Sequence, residues 1–115
     1  VTNFNTAHIR MVIFSGIEIA TNQVCFSLLD QRATGAMTQL CLETGVKLLA
    51  FGTLAGGFLS ERWLNRPEPV LNDSLTWSQM KYKRFIDAAG GWARYQQLLT
   101  GLHQLARQKK ISIAK

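Results

Sequence analysis

A chain of 115 residues suffices for one ordinary domain, and 47% hydrophobic residues at a mean hydropathy near zero exclude a disordered or membrane-embedded protein. No run of about 18 apolar residues is present to span a bilayer, and no charged segment leads into an apolar one as in a secretory signal. The net charge of +6 is skewed: residues 1–78 hold five basic and six acidic side chains, residues 79–115 eight basic and one acidic.

Taken in order, Thr6 is placed to N-cap a helix reaching about Ser15, with Ile9, Met11, Val12, Ile13 and Phe14 inside it and Gly16 as its stop. Residues 17–23 alternate and are rich in β-formers, which predicts a strand. After a loop, residues 35–44 place Met37, Leu40, Cys41 and Leu42 at helical spacing before Gly45. Residues 46–51 form a nearly continuous apolar run, the pattern of a strand covered on both faces.

Helix, glycine, strand, loop, helix, glycine, strand is the rhythm of a parallel sheet with crossover helices. The period from Ile17 to Val46 is about thirty residues, close to one unit of an eight-stranded α/β barrel. Two such strands leave both sheet edges open, which would permit self-association.

Small residues from Gly52 to Gly57 form a loop, and Ser60 is placed to cap a short helical turn. Pro67 and Pro69 mark an irregular stretch across residues 65–78. A helix is predicted from Ser78 through Asp87, then a break at Gly90-Gly91. Trp92, Tyr95, Leu98, Leu99, Leu102, Leu105 and Ala106 next predict a strongly amphipathic helix to about Gln108. The cations of residues 79–115 read as a solvated helical face, since no basic–aromatic interleaving points to nucleic acid. Ser112 stands as an N-cap before only three further residues. Cys25 and Cys41 fit neither a metal pattern nor a disulfide scaffold; both read as packed thiols, suited to a reducing cytoplasm.

Three segments carry a resemblance. Val1-Thr2-Asn3-Phe4, then Asn22-Gln23 leading into Phe26-Ser27-Leu28-Leu29-Asp30, then Gly45-Val46-Lys47-Leu48-Leu49-Ala50-Phe51-Gly52-Thr53-Leu54-Ala55-Gly56-Gly57 closely resemble three consecutive βα junctions of aldo-keto reductases, in the family's order and spacing. The likeness runs on to Ser112-Ile113-Ala114. It implies part of the second half of a (β/α)8 TIM barrel, from the end of the fifth strand through the seventh βα unit and its following helices. Residues 1–64 would hold two βα units, 65–78 an irregular loop, and 79–115 a basic helical segment.

The resemblance further implies NADPH, less often NADH, as cofactor of the complete protein, with a carbonyl compound as substrate. Thr2, Asn3 and Gln23, which would end the sixth strand, fall where the family holds the nicotinamide carboxamide. Phe51 falls where an aromatic ring, usually tyrosine, stacks on the nicotinamide. Gly52, Thr53, Leu54 and Gly56 fall on the loop that meets the pyrophosphate. The residue types suit these tasks: an amide offers a donor and an acceptor to a carboxamide, a planar ring leaves one pyridine face open, and small residues let backbone N–H groups approach an anion.

The family's catalytic tyrosine, lysine, aspartate and histidine come from the first four junctions, and nothing here matches those motifs. His8 and His103 read as helix-surface residues. The expectation is a piece of an oxidoreductase that is inactive alone. The alternative is a short non-catalytic half-barrel acting as a binding or interaction module.

Overall fold

The computed structural model describes residues 1–70 and 75–115. Part of the irregular segment predicted at 65–78, residues 71–74, lies outside the described residues. The chain divides into two compact units, Val1–Thr53 and Leu54–Lys115.

The first unit contains α1 (Thr6–Phe14), β1 (Thr21–Cys25), α2 (Ala36–Thr44) and β2 (Lys47–Phe51). β1 and β2 pair in parallel, with Gln23 opposite Leu49 and Cys25 opposite Phe51. The crossover between them is the predicted helix α2. Its core joins Ile9 of α1, Ile19, Met37, Leu40, Cys41 and Val46, with Phe4, Val12, Ile13 and Leu48 packed around them. At about 25 cal/mol per Å² of apolar surface, such a cluster is what holds two short helices on two short strands.

Local chemistry sets the boundaries. Asn5, not Thr6, caps α1: its side chain accepts the His8 N–H at 2.9 Å, because Thr6 already lies in the helix. Gly45 ends α2 at φ 78, where its N–H reaches the Cys41 carbonyl, a left-handed cap that any Cβ would oppose. The strand predicted at 17–23 is displaced to Thr21–Cys25. Ile19 of the lead-in is buried while Ile17 is exposed, so the alternation is real but residues 17–20 approach the sheet before pairing begins.

β2 is not covered on both faces. Lys47 and Leu49 are exposed, Leu49 by 50%, whereas Leu48 packs into the core. The helices shield one face of the strand pair and leave the other open.

The second unit begins with 3-10 turns at Ala55–Gly57 and Glu61–Trp63, followed by α3 (Trp77–Ala88) and α4 (Gly91–Lys109). Phe58 and Trp63 belong to the packing of α4. Phe58 stacks within 4.8 Å of Trp63 and meets Trp92 and Tyr95 edge-on. Burying such rings contributes area plus a geometric preference for edge-on pairs.

α3 starts one residue before the predicted Ser78. Thr76 caps it in a reciprocal box with Gln79. Ser60 does not cap its turn; its hydroxyl donates to the Gly57 carbonyl at 2.6 Å. α4 continues to Lys109, with Lys110 in the left-handed region. Beyond it the Lys115 N–H reaches the Ser112 carbonyl at 3.1 Å, a single turn.

Candidate functional site

Registered partners in a parallel ladder point their side chains to one face, and successive residues alternate. Thr21, Gln23 and Cys25 of β1 therefore share a face with Lys47, Leu49 and Phe51 of β2. Asn22, Val24, Leu48 and Ala50 take the opposite face, where Asn22 and Val24 are buried, Leu48 packs into the core and Ala50 stays exposed. The candidate residues Gln23 and Phe51 thus lie on the same open face, with Phe51 one pleat nearer the C-terminal ends.

The segment before α1 runs along the other edge of β1. Val1 donates to the Thr21 carbonyl at 2.8 Å, the Gln23 N–H reaches the Val1 carbonyl at 2.9 Å, and the Asn3 N–H reaches the Gln23 carbonyl at 2.8 Å. This isolated parallel bridge registers Thr2 with Gln23, so Thr2 joins the same face. Asn3 then takes φ 57, a left-handed conformation that asparagine tolerates better than most residues, and the chain turns toward α1. Thr2, Asn3 and Gln23 are brought together and all three are exposed.

Gln23 sits in the middle of β1, not at its end as expected, because the strand begins four residues later than predicted. Phe51 does end its strand; it is half-buried, and its carbonyl accepts the Phe26 N–H at 3.1 Å. Gly52 follows at φ 68 and Thr53 is exposed. Leu54 and Gly56 belong to the second unit. Gly56 has φ 65, and a Cβ there would come within 2.8 Å of Tyr82 Cδ2. The loop's small residue is thus required by close packing as well as by backbone conformation.

Two supporting residues carry no sequence signal. Asn22 is fully buried: its amide donates to the Phe4 carbonyl at 3.0 Å and its Oδ1 accepts the Phe4 N–H at 3.3 Å. It ties the segment carrying Thr2 and Asn3 to the strand carrying Gln23. Its neighbour Gln23 is a more conspicuous amide, and only burial tells their tasks apart.

Asp30, also buried, accepts Arg32 Nε and Nη2, both at 2.8 Å. The Arg32 guanidinium, with a smaller contribution from Cys25, holds the carboxyl below its ordinary range against the opposing effect of burial. This bidentate pair shapes the loop after β1.

In the second unit, Arg62, Trp63, Arg66, Pro67, Glu68 and Pro69 line an open basin of about 390 Å³. Its two guanidiniums favour an anion, while the Glu68 carboxylate is taken up by Lys83 Nζ at 2.6 Å. The expectation that His103 faces solvent is corrected. The residue is half-buried, and its Nδ1 is buried without a hydrogen-bond partner among the described residues, because α4 turns this side toward the loop it packs on. His8 is exposed.

Cys25 and Cys41 are buried thiols outside any disulfide; burial pushes the Cys41 thiol above its ordinary pKa, which disfavours the reactive thiolate. Among the described residues no group of three or more His, Cys, Asp or Glu side chains is placed to hold a metal. No described helix is long and apolar enough to cross a membrane.

A mixed α/β chain with a parallel strand pair, a crossover helix and polar residues gathered on one open sheet face defines the class. The chain belongs to the aldo/keto reductase family, whose pattern it matches over residues 1–115. It is also 32% identical, over 106 residues, to Flagellar radial spoke protein 5 of Chlamydomonas reinhardtii. That match covers 90% of this chain and 20% of the relative's length. The family is one of oxidoreductases that generally use NAD(P)H.

Proposed function

We propose that this chain is the nicotinamide-holding section of an NAD(P)H-dependent aldo-keto reductase, with β1 and β2 as the sixth and seventh strands of a (β/α)8 barrel. The observation that carries the reading is the placement of Thr2, Gln23 and Phe51 on one face, with Asn3 bonded to Gln23 through its backbone. Asn3 and Gln23 would hold the carboxamide through paired donors and acceptors. Phe51 would lie against the pyridine ring, and the phenylalanine retains the stacking surface that a tyrosine would offer. Gly52, Thr53, Leu54 and Gly56 would present backbone N–H groups to the pyrophosphate.

When bound, the cofactor supplies a hydride to a carbonyl carbon. The proton for the carbonyl oxygen would come from an acid outside this chain, in the complete, cytoplasmic protein. The reading is tested in the full-length protein containing this chain. Gln23→Ala and Phe51→Ala should each raise the Kd for NADPH about tenfold, the equivalent of about 1.4 kcal/mol. An unchanged Kd in both variants would reject the assignment.

The second reading, a non-catalytic interaction module, is favoured by the relative's name, which places that protein in a radial spoke. It predicts concentration-dependent association through the open edge of the strand pair. Sedimentation velocity showing a monomer throughout the micromolar range would count against it.

A further inference from the structure

Two amides stand side by side in β1 with opposite surroundings: Asn22 is 0% exposed, and Gln23 is open to solvent. Successive strand residues point to opposite faces, so Asn22 cannot touch anything bound on the face that carries Gln23 and Phe51. Its contacts are internal. Nδ2 donates to the Phe4 carbonyl at 3.0 Å and lies 3.9 Å from Met37 Sδ, while Oδ1 accepts the Phe4 N–H at 3.3 Å. Burying an amide is tolerated when its donor and acceptor are both met, and here the backbone of one residue meets both.

That residue follows a strained one. Asn3 takes φ 57, and a left-handed conformation outside glycine persists where the chain on either side fixes it. Before the turn, Gln23 does so: its N–H reaches the Val1 carbonyl and its carbonyl accepts the Asn3 N–H. After the turn, the Asn22 amide holds Phe4 by both backbone groups, and Phe4 packs on the core of the first unit.

We infer that Asn22 is a positioning residue for the nicotinamide end of the cofactor, holding Asn3 in the left-handed turn that keeps it against Gln23. The inference rests on the nicotinamide-holding reading above, in which Asn3 and Gln23 grip the carboxamide. Without the Asn22 amide, Asn3 relaxes toward the negative φ that non-glycine residues prefer, and the pair is lost. The effect is selective, because neither Asn3 nor Gln23 is assigned to the adenosine end. A neutral carboxylic acid reproduces the amide's pattern of one donor and one acceptor, whereas a carboxylate has no donor for the Phe4 carbonyl. Phe4 and Met37 bring no titrating group to this contact.

The experiment uses the full-length protein containing this chain and compares Kd for NADP+ with Kd for phospho-ADP-ribose, the same dinucleotide without its nicotinamide. Gln23→Ala and Asn22→Ala should each weaken NADP+ about tenfold and leave phospho-ADP-ribose unchanged. Asn22→Asp should be equally weak at about pH 7.5 and recover toward the parent protein at about pH 5.5, since burial raises a carboxyl's pKa. That comparison is made within one variant, so it stands even where Asn22→Ala does not fold. His8, whose ring lies 5.6 Å from that of Phe4, titrates in the parent protein as well, and its effect cancels in the ratio to parent. Asn5→Ala removes the α1 cap one residue beyond Phe4; it should lower the unfolding temperature and leave the preference for NADP+ over phospho-ADP-ribose intact. If Gln23→Ala binds NADP+ normally, the nicotinamide-holding reading fails and this inference fails with it. If Gln23→Ala is weak, the inference alone is overturned by any of three results: Asn22 variants that bind NADP+ normally, Asn22 variants that lose both ligands equally, or an Asn22→Asp variant that does not recover in acid.

Discussion

Lys83 lies with its side chain 4% exposed between two carboxylates that are each about half exposed, and that asymmetry decides which partner matters. Burial works against its charge, but Asp87 and Glu68 outweigh burial and raise its pKa. Its ion-pair stabilisation is therefore fully present below the ordinary lysine value and fades only as pH rises through the raised one. Removing both carboxylates, as Glu68→Gln with Asp87→Asn, strands a buried cation and should cost about 3 kcal/mol. Lys83→Met leaves two carboxylates that water can reach, and should cost about 1 kcal/mol or less. Urea unfolding of the two variants checks the order; a Lys83→Met variant less stable than the double variant would contradict it.

Asp30 has the opposite sign. Its folded pKa is lowered, so its contribution is present above the unfolded carboxylate value near ~3.9 and is lost as pH falls through the lowered folded value. Arg32 is 74% exposed, and solvent screening brings the expected contribution to about 1 kcal/mol. Asp30→Asn should lower the urea midpoint at pH 7 and lessen its decline toward pH 2. An unchanged pH profile would mean that the pair is dispensable.

At the scale of elements, α4 holds the second unit through polar groups as much as through apolar area. Tyr95 donates to the Phe58 carbonyl at 2.5 Å, Gln96 donates to the Trp63 carbonyl and accepts the Asn65 N–H, and Trp92 donates to the Arg66 carbonyl. Burial pushes the Tyr95 hydroxyl above its ordinary pKa, so it stays a donor at physiological pH. Tyr95→Phe should cost about 1 kcal/mol by leaving the buried Phe58 carbonyl without this donor. Thr76→Ala, which removes one half of the α3 box, should cost about 1 kcal/mol. Thermal unfolding of both variants reads these losses, and a cost near zero in either would show that water replaces the missing bond.

The helices were legible from apolar spacing and from stops such as Gly45, since both signals are local. The start of β1 was not, because Ile17 and Ile19 satisfy strand preference whether or not a partner strand lies alongside. The same limit hid Asn22 and His103. Whether an amide or an imidazole is buried depends on which element packs over it, and no short window of residues contains that. Thr2, Gln23 and Phe51 could be nominated by resemblance, but their common face follows from register, which needs the paired strands.

For the whole molecule, the largest question is the apolar surface left uncovered. Leu49 is half exposed on the open face of β2, and Met11, Phe14 and Leu42 stand out on α1 and α2, Phe14 by 95%. Exposed apolar groups of this size are ordinary when scattered singly, but Leu49 shares its face with the proposed nicotinamide residues. In a complete barrel, facing strands would fill that interior in layers, and the open edge of β2 would pair instead of offering unpaired backbone groups. The 115-residue chain alone should therefore bind a hydrophobic dye such as anilinonaphthalene sulfonate and show no NADPH oxidation with carbonyl substrates. Co-expression with the remaining βα units of a complete aldo-keto reductase barrel should suppress the dye signal and raise the unfolding midpoint together, because both changes come from covering the same surface. A chain that excludes the dye by itself and gains no stability from those units would favour the independent module over the barrel section.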